Sequence, residues 1–420
     1  MAGNENWWFI VKQPQIMTNK IRLYKVFPSE VIDGDKPYIL WLASWYPSKT
    51  MPYNGDFIQR HAYAAAIYLN ILVVHTIHDP KATDDIIYEV REQPNLKEII
   101  IYFRDNGDTS TIWGKLRYNF RFYQAIRNFI SVLFLHRSLP RIVHVHVPMK
   151  MGKVALWIKE KWKIPFLLSE HSASYLPTAP DYFFKRSGFY QKNVQRIFAQ
   201  AFIVTNVSDT ISQILQKIFT IRQITIIRNV ADEKLFFYSP KLEGNFRFIH
   251  VSTMNHQKNF DGLINVFEKL YSQNNEVELL LVGPMSSAAS ERLDRSPAKH
   301  AVMCTGEINY GEVARFMQEA NCFVLFSRYE NFPCVIVEAL CCGLPVISSD
   351  AGGAAEGIND RNGIVVPTEN EAALLTAMNK MISEYANYHR PSIAEDAKSK
   401  YSYQTIGRKF GQLYLASGLG

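Results

Sequence analysis

Short apolar runs alternate with amphipathic stretches along most of the 420-residue chain. Each apolar run is short, unbroken and bounded by polar or glycine-rich residues. Runs of this kind predict strands that are buried on both faces of a sheet. Most are followed by apolar residues at helical spacing, which predicts helices. Predicted strands cover 38–43, 71–76, 98–103, 142–148, 165–169, 201–205, 224–227, 247–252, 277–282, 301–304, 322–326, 345–347 and 363–367. Predicted helices cover 56–68, 113–135, 150–162, 260–271, 311–319, 333–343, 369–385 and 401–414. This alternation indicates α/β domains with parallel sheets.

The chain is longer than one hydrophobic core usually fills, which predicts two domains. We expect a first Rossmann-like domain over residues 37–238 and a second over residues 239–400. Residues 241–245 lack periodicity and are the candidate linker. Residues 1–36 are an N-terminal extension whose apolar residues follow no periodic pattern, so it either packs on the body or stays disordered. Residues 401–420 form a last helical segment that is expected to cross back to the first domain.

One stretch, residues 321–357, organises the candidate chemistry. An apolar strand leads into a polar elbow at 327–333, then into a helix, a second strand and a glycine turn at 350–353. This order of elements is what a ligand site at the carboxyl edge of a parallel sheet requires. Two carboxylates, Glu330 and Glu338, lie eight residues apart on either side of the turn from elbow to helix. They can therefore face one ligand from two directions.

The other candidate groups of the second domain are predicted at the same sheet edge. Lys258 offers a point charge that suits a phosphate. Backbone N–H groups at Asn331, Phe332, Gly352 and Gly353 offer neutral donors for phosphate or sugar oxygens. A carboxylate is a good acceptor for paired sugar hydroxyls. Since both domains can bind in their strand-end crevices, the natural site is the cleft between them, and it is suited to a sugar nucleotide.

Two residues of the first domain lie in loops that follow predicted strands. Gly55 closes a loop before a predicted helix, where backbone N–H groups could meet an anion or a sugar hydroxyl, although such a loop is more often a plain connection. His171 follows strand 165–169 in a polar loop, and a ligand contact and a structural role are equally open for it. His144 and His146 share one face of another strand, and without a third ligand nearby a core or edge position is favoured over a metal site.

The cysteines indicate a reducing compartment. Their number is odd, they occupy one half of the chain, and their spacing fits no metal site, so we expect reduced thiols, no disulfide frame and no metal. They are Cys304, Cys322, Cys334, Cys341 and Cys342. No early segment resembles a signal peptide, and no apolar run approaches the roughly 18 residues of a spanning helix. We therefore expect a cytoplasmic protein.

Charge is distributed unevenly between the two halves. Residues 1–240 carry 30 basic and 19 acidic side chains, whereas the remainder carries 16 basic and 20 acidic ones. No acidic residue occurs between Thr109 and Lys159. Predicted helix 113–135 therefore has two interpretations: an ordinary surface helix with solvated arginines, or a helix that docks on the anionic inner face of a membrane.

The run SRYENFPCVIVEALCCGLPVISSDAGGAAE resembles the signature of glycosyltransferase family 4, a family of retaining transferases with the GT-B fold. The resemblance extends to WYPS and PYNGDFIQRHA within residues 45–62, to IVHVHVP at 142–148 and to SEHSASY at 169–175. It also includes NVAD at 229–232 and the loop that ends at Lys258, and so spans nearly everything after residue 37. It implies the GT-B architecture, two Rossmann-like domains that face each other across a cleft.

The resemblance also implies a role for several residues. Glu338 would bind the donor ribose hydroxyls, Glu330 would lie beside the transferred sugar, and Lys258 would bind the diphosphate. Gly55 would lie near phosphate or acceptor, and His171 would approach the donor sugar from the first domain. No metal is implied, because basic groups and helix N-termini neutralise the leaving diphosphate. A front-face route is implied for retention, without a covalent nucleophile.

One position departs from the family pattern. The family often has an arginine five residues before the lysine, where this chain has Thr253. Stabilisation of the leaving group then depends on compensation by Arg328 or by another residue. Removal of such an electrostatic contact commonly costs about 3 kcal/mol of barrier.

The function expected from the resemblance is transfer of a hexosyl unit from a nucleotide-diphosphate sugar to a glycan or lipid-linked acceptor. A UDP-sugar is the first expectation for the donor and a GDP-sugar the second, with no cofactor and no nucleic acid. Two alternatives stay open. They are a nucleotide-sugar 2-epimerase, and a non-catalytic partner subunit that binds a nucleotide sugar.

Overall fold

The computed structural model describes residues 20–28, 36–240 and 244–416. Its first sheet has nine strands in the order β1-β4-β5-β3-β2-β6-β7-β8-β9. They are β1 Lys20–Tyr24, β2 Ile39–Ala43, β3 Ile71–His78, β4 Ile86–Gln93, β5 Leu96–Phe103, β6 Ile142–His146, β7 Phe166–Glu170, β8 Val204–Asn206 and β9 Ile224–Ile226. Strands β2, β3 and β5 to β9 run parallel, while β4 is antiparallel to both β5 and β1.

Helices cover this sheet on both faces, because the parallel strands are apolar on both sides. They are α1 Asp56–Ala66, α2 Ile112–His136, α3 Met151–Trp162, α4 Gly188–Gln200 and α5 Asp209–Ile218. Strand order reverses between β2 and β6, which is where a crevice opens at the carboxyl ends of the strands. The loop before α1 and the loop after β7 both begin at this edge.

The second sheet has six parallel strands in the order β12-β11-β10-β13-β14-β15. They are β10 Phe246–Val251, β11 Val277–Val282, β12 Val302–Cys304, β13 Cys322–Leu325, β14 Val346–Ser349 and β15 Gly363–Val366. Its helices are α6 Phe260–Gln273, α7 Ser287–Asp294, α8 Tyr310–Gln318, α9 Cys334–Cys341, α10 Glu371–Ser383 and α11 Arg390–Tyr401. The order reverses between β10 and β13, so the loops after these two strands border the crevice.

The last helix, α12 (Tyr403–Ala416), follows α11 and packs on α1. The Trp41 indole donates to the Tyr414 hydroxyl over 2.9 Å, so the end of the chain is fixed in the core of the first sheet. The two helices lie so close together that a Cβ on Gly407 would be 2.1 Å from the Ala64 carbonyl oxygen. Packing of α12 therefore fixes the position of α1, whose residues border the cleft.

Several elements are absent from the predicted set. Strand β1 is largely exposed and β4 partly buried, both carry charged residues, and α7 and α11 are short or polar, whereas α4 and α5 are amphipathic helices that the predicted elements leave out. Strand β1 lies within the segment that we expected to be an extension of uncertain order, and residues 20–28 pack on the sheet edge through it. Residues 1–19, 29–35, 241–243 and 417–420 lie outside the described part, including most of the candidate linker. The domain boundaries stay predictions.

Within the described ranges, no helix combines the length and the apolar character that crossing a bilayer requires. All five cysteines are unpaired, and of these Cys304 alone is exposed.

Candidate active site

A cleft of about 890 Å³ opens between the carboxyl edges of the two sheets. This volume falls in the range of sites that enclose a ligand as large as a nucleotide sugar. Most of the predicted site residues line it: His171, Thr253, Lys258, Glu330, Asn331, Phe332 and Glu338. The two sheets face each other, so predicted site residues as far apart in sequence as His171 and Glu338, 167 positions, line one cavity.

Glu338 is buried on α9 and forms an ion pair with a residue of the first domain. Arg60 Nη1 lies 2.5 Å from Glu338 Oε1, and the two side chains are 12% and 2% exposed. Arg60 Nη2 also lies 2.9 Å from Asp56 Oδ2, one helical turn earlier on α1. Burial raises the pKa of Glu338 above its usual value, while the Arg60 guanidinium opposes that rise. The Arg60 guanidinium therefore favours the charged form of this acceptor in the cleft.

Glu330 forms a second ion pair in the same cleft. Lys258 Nζ lies 2.5 Å from Glu330 Oε1, and both side chains are largely buried. The Ser327 hydroxyl also donates to Glu330 Oε1 over 2.8 Å. Lys258 is positioned by a single 3₁₀ turn whose Asn255 side chain accepts from the Lys258 backbone N–H. Each of the two carboxylates is thus held by one cation.

The elbow itself bridges the two sheets. The Ser208 hydroxyl at the start of α5 donates to Asn331 Oδ1 over 2.7 Å. The Asn229 amide donates to the Phe332 carbonyl oxygen over 2.6 Å. Both bonds are buried, so they fix the elbow relative to the first sheet.

The glycine turn after β14 supports the elbow from behind. A Cβ on Gly352 would lie 2.1 Å from the Glu330 carbonyl oxygen, and one on Gly353 would lie 2.0 Å from that of Asn331. Gly352 also has a φ of +59°, which favours glycine. Neither glycine is among the described residues that line the cleft. Both glycines instead pack against the backbone of the elbow and support it.

Gly55 and Arg328 are not among the described residues that line the cavity. Gly55 has a φ of +74° and a Cβ there would meet the Trp45 carbonyl carbon at 2.6 Å, so the glycine shapes the turn that begins α1. Its neighbours Tyr53 and Asp56 line the cleft. The Arg328 guanidinium is bonded instead to Glu369, with Nε 2.7 Å from Oε1.

His171 belongs to a cluster of four buried imidazoles. Its Nε2 lies 3.3 Å from His146 Nδ1, and the two rings are stacked with centroids 5.5 Å apart. His144 contacts the Tyr414 hydroxyl and Ser169, and His61 contacts the Arg228 carbonyl oxygen. Burial and the neighbouring imidazoles lower the pKa of His171 well below its usual value, so the ring is neutral at pH 7.

His144 and His146 lie in the core of the sheet, as the core interpretation predicts, and each is fully buried. Within the described part of the chain, no three His, Cys, Asp or Glu side chains are grouped as metal ligands.

Comparison with known proteins decides the family. Residues 231–399 match the family described as glycosyl transferases group 1, and residues 94–235 match the one described as Glycosyltransferase Family 4. The two matches overlap at residues 231–235 and together span residues 94–399. The chain belongs to glycosyltransferase family 4. It is therefore a glycosyltransferase, as its resemblance predicts.

The relatives of this family 4 glycosyltransferase include one whose description names teichuronic acid biosynthesis. A Bacillus subtilis protein described as a putative teichuronic acid biosynthesis glycosyltransferase, TuaC, is 23% identical over 392 residues, which cover 89% of this chain and 94% of TuaC.

Solved structures of known transferases share the fold of this family 4 glycosyltransferase. Sucrose-phosphate synthase from Thermosynechococcus elongatus superposes with a TM-score of 0.71 at 19% identity, over 90% of this chain and 98% of that one. Anabaena Alr3699/HepE, solved with UDP and glucose, gives 0.67 at 16% identity, over 91% and 100%. The predicted GT-B fold is confirmed.

Sequence reasoning missed Arg60, Asp56 and Tyr310 as cleft residues. Arg60 lies within the motif PYNGDFIQRHA, of which Gly55 alone is a predicted site residue. The available signal was the pair Asp56 and Arg60 at helical i,i+4 spacing, next to buried His61 and Ala62. Tyr310 begins α8, and its ring lies under the Arg60 guanidinium at 5.5 Å.

Proposed function

We propose that this glycosyltransferase moves a hexosyl unit from a nucleotide-diphosphate sugar to a glycan or lipid-linked acceptor, with retention of configuration at the transferred carbon. A UDP-sugar is the first candidate donor and a GDP-sugar the second. The observation that carries this proposal is the pairing of two cleft carboxylates, Glu330 and Glu338, with two cations, Lys258 and Arg60. A diphosphate can replace the carboxylates as partner of the cations, while hydroxyls of ribose and sugar bind the carboxylates.

In the proposed complex, Glu338 accepts hydrogen bonds from ribose hydroxyls and Lys258 binds the diphosphate. The backbone N–H groups of the elbow at Asn331 and Phe332 add neutral donors for phosphate or sugar oxygens. Glu330 lies beside the transferred sugar. His171, neutral and at the opposite wall of the cleft, hydrogen-bonds a sugar hydroxyl.

The proposed reaction breaks the bond between the anomeric carbon and the phosphate oxygen, and the electron pair leaves with the nucleoside diphosphate. The acceptor oxygen forms its bond to the anomeric carbon on the same face. Its proton passes to the departing phosphate oxygen, so no enzyme nucleophile or external base is required. Positive charge from Lys258 stabilises the leaving group as its charge develops.

Support for a UDP-sugar comes from the fold neighbour solved with UDP and glucose. Thr253 lines the cleft at the position where the family often has an arginine. Among the described lining residues, the lysine and arginine side chains are then those of Lys258 and Arg60. Arg60 is therefore our candidate for the compensating charge.

A thermal-shift panel of UDP-, GDP- and ADP-sugars tests the donor assignment. A donor at 100 times its dissociation constant stabilises the folded protein by about 2.7 kcal/mol. We expect the UDP-sugar to raise the melting temperature and Glu338→Ala to abolish the shift. NMR of the protein with donor alone tests for a 2-epimerase, which would yield an epimerised donor without an acceptor. Absence of a shift with every nucleotide would overturn the proposal.

A further inference from the structure

Several carboxylates line the cleft within the described part of the chain. They are Asp56, Asp181, Glu307, Glu330 and Glu338. Asp56 and Glu338 are paired with Arg60, and Glu330 is paired with Lys258. The Tyr53 hydroxyl donates to Glu307. Asp181 alone among them forms no ion pair and no hydrogen bond with a residue that the structure describes. Its carboxylate is therefore the one whose oxygens are available to a ligand.

Asp181 lies on the segment between β7 and α4, and both ends of that segment are fixed. Glu170, the last residue of β7, accepts the backbone N–H of His171 over 2.8 Å. At the other end, the Phe183 N–H donates to the Ser174 carbonyl oxygen over 2.7 Å, and the Phe183 ring is buried in the core of the first sheet. The backbone that carries Asp181 is thus held in place, while its side chain is exposed at the cleft wall.

The Asp181 side chain lies on the same side of the cleft as Glu330. Tyr329 precedes Glu330 in the elbow, lines the cleft and packs against the core of the first sheet. Burial raises the pKa of Tyr329, and the carboxylates of Asp181 and Glu330 add to that rise, so both act on the same phenol. Since we propose that Glu330 lies beside the transferred sugar, Asp181 lies near the place where an acceptor would meet that sugar.

Positive charge in the cleft is already paired. The lysine and arginine among the described lining residues, Lys258 and Arg60, both have carboxylate partners. The segment that carries Asp181 adds residues 172–174 to the lining, which are small and uncharged. A phosphate or carboxylate on a ligand would be repelled beside Asp181. A hydroxyl group would find an acceptor there.

The groups around Asp181 suit a sugar ring. A carboxylate has two oxygens, which can accept from two neighbouring hydroxyls of a pyranose. The partly exposed Tyr329 ring offers an apolar surface for the C–H groups of the same ring. The Ser172 hydroxyl, which donates to the Ser174 hydroxyl over 2.9 Å, can itself accept from a third sugar hydroxyl.

We propose that Asp181 selects the acceptor, by accepting hydrogen bonds from two neighbouring hydroxyls of an uncharged sugar at the end of the acceptor, whose ring lies against Tyr329. The acceptor is then a glycan with a neutral terminal sugar, whether or not a lipid carries that glycan. This inference rests on the proposed function, because it concerns the second substrate of the same reaction.

Matched octyl glycosides test the inference on the full chain. The donor is the UDP-sugar that raises the melting temperature most, and release of UDP measures transfer. Octyl glucoside and octyl galactoside are each compared with the corresponding uronide, in which a carboxylate replaces the hydroxymethyl group. We expect a neutral glycoside to stimulate UDP release above the rate with donor alone. Its uronide should have a KM higher by on the order of tenfold or more, because like charges repel.

Asp181→Asn should raise the KM of the neutral glycoside about tenfold or more, the scale of one hydrogen bond to a charged group, while the donor KM stays that of the parent. The difference between glycoside and uronide should shrink, because the repelling charge is gone. Asp360→Asn is the matched control, since Asp360 is an exposed aspartate of the second domain that does not line the described cleft. It should keep both KM values.

Equal rises in the donor and acceptor KM of Asp181→Asn would place Asp181 at the donor and overturn the proposal. So would an unchanged acceptor KM, a preference of the parent for the uronides, or a protein that binds its donor but is stimulated by no neutral glycoside. Failure to bind any nucleotide sugar would instead overturn the proposed function. Thermal shifts on the same preparation distinguish these outcomes.

Discussion

Arg60 of the first domain and Glu338 of the second lie 2.5 Å apart at the floor of the cleft, 278 residues apart in sequence. The pair links the two sheets at the point where we propose that the donor ribose binds. Since Arg60 also lies 2.9 Å from Asp56, it retains a carboxylate partner if Glu338 turns to a ligand. When a donor binds and Glu338 turns to its hydroxyls, the buried Arg60 guanidinium thus stays paired with Asp56.

Replacement of Arg60 by glutamine should destabilise the empty protein. Glu338 would remain buried without its cation, and breaking such a pair costs about 3 kcal/mol or more. Urea denaturation at pH 7 measures the loss. Glu338→Met with Arg60→Met should recover most of it, because two apolar side chains then replace two buried charges. A double variant as unstable as Arg60→Gln would contradict this account.

Arg60→Gln also tests contact with the diphosphate. If Arg60 binds phosphate, the variant should lose UDP affinity at least tenfold while uridine affinity is kept, since a charged hydrogen bond contributes about 1.5–3 kcal/mol. Isothermal titration calorimetry measures both. Arg292→Gln is the control, because Arg292 forms a comparable partly buried pair with Glu268 away from the cleft. Equal losses for uridine and UDP would assign Arg60 a purely structural role.

Glu330→Gln should separate binding from turnover. The glutamine keeps the size of the side chain but removes the charge that pairs with Lys258, so we expect UDP affinity to be retained or increased. Transfer to the acceptor should fall on the order of 100-fold, the scale of one electrostatic contact in a transition state. A transfer assay with calorimetry on the same preparation measures both. Unchanged turnover would remove Glu330 from the reaction.

Gly352→Ala should disturb the elbow from behind. The new Cβ would lie 2.1 Å from the Glu330 carbonyl oxygen at a residue with φ of +59°, so the turn or the elbow must move. We expect a loss of about 1–3 kcal/mol in stability and weaker donor binding. Gly188→Ala is the control, because no atom lies within 4 Å of its Cβ position. Equal melting temperatures for the two variants would contradict the packing argument.

Stability should fall with pH below about 6.5, because histidines are buried in neutral form. Burial lowers the pKa of His144 to about 3 and that of His61 to about 4. In the unfolded chain these histidines have a pKa near 6.5. Between that pH and the lower pKa of the folded protein, the unfolded chain binds more protons than the folded one, so acid favours unfolding. Each histidine contributes a slope approaching about 1.4 kcal/mol per pH unit. This stability is fully present above about pH 6.5.

Urea denaturation between pH 7.5 and 4.5 measures that dependence, and His144→Gln should reduce its slope. His389→Gln, which alters an exposed histidine bonded to Ser392, should leave it unchanged. A slope that His144→Gln does not alter would contradict the assignment.

Much of the fold could be predicted because its signals are local. Apolar runs and helical spacing located most of the parallel strands and helices of both sheets, since burial on two faces forces a continuous apolar run. Strands β1 and β4 escaped prediction because both are incompletely buried, so charged residues such as Arg91 and Glu92 interrupt their apolar pattern. Short helices such as α7 depend on capping and packing, and their pattern is weak.

The sequence by itself determined that Lys258, Glu330 and Glu338 meet at the cleft, because the strand ends of a parallel sheet lie at one edge. Only the tertiary structure decided their partners. The contacts of Arg60 with Glu338 and of Tyr414 with His144 join residues 278 and 270 positions apart. Such pairs arise from the packing of α1, α9 and α12 around the cleft, and no local periodicity encodes them.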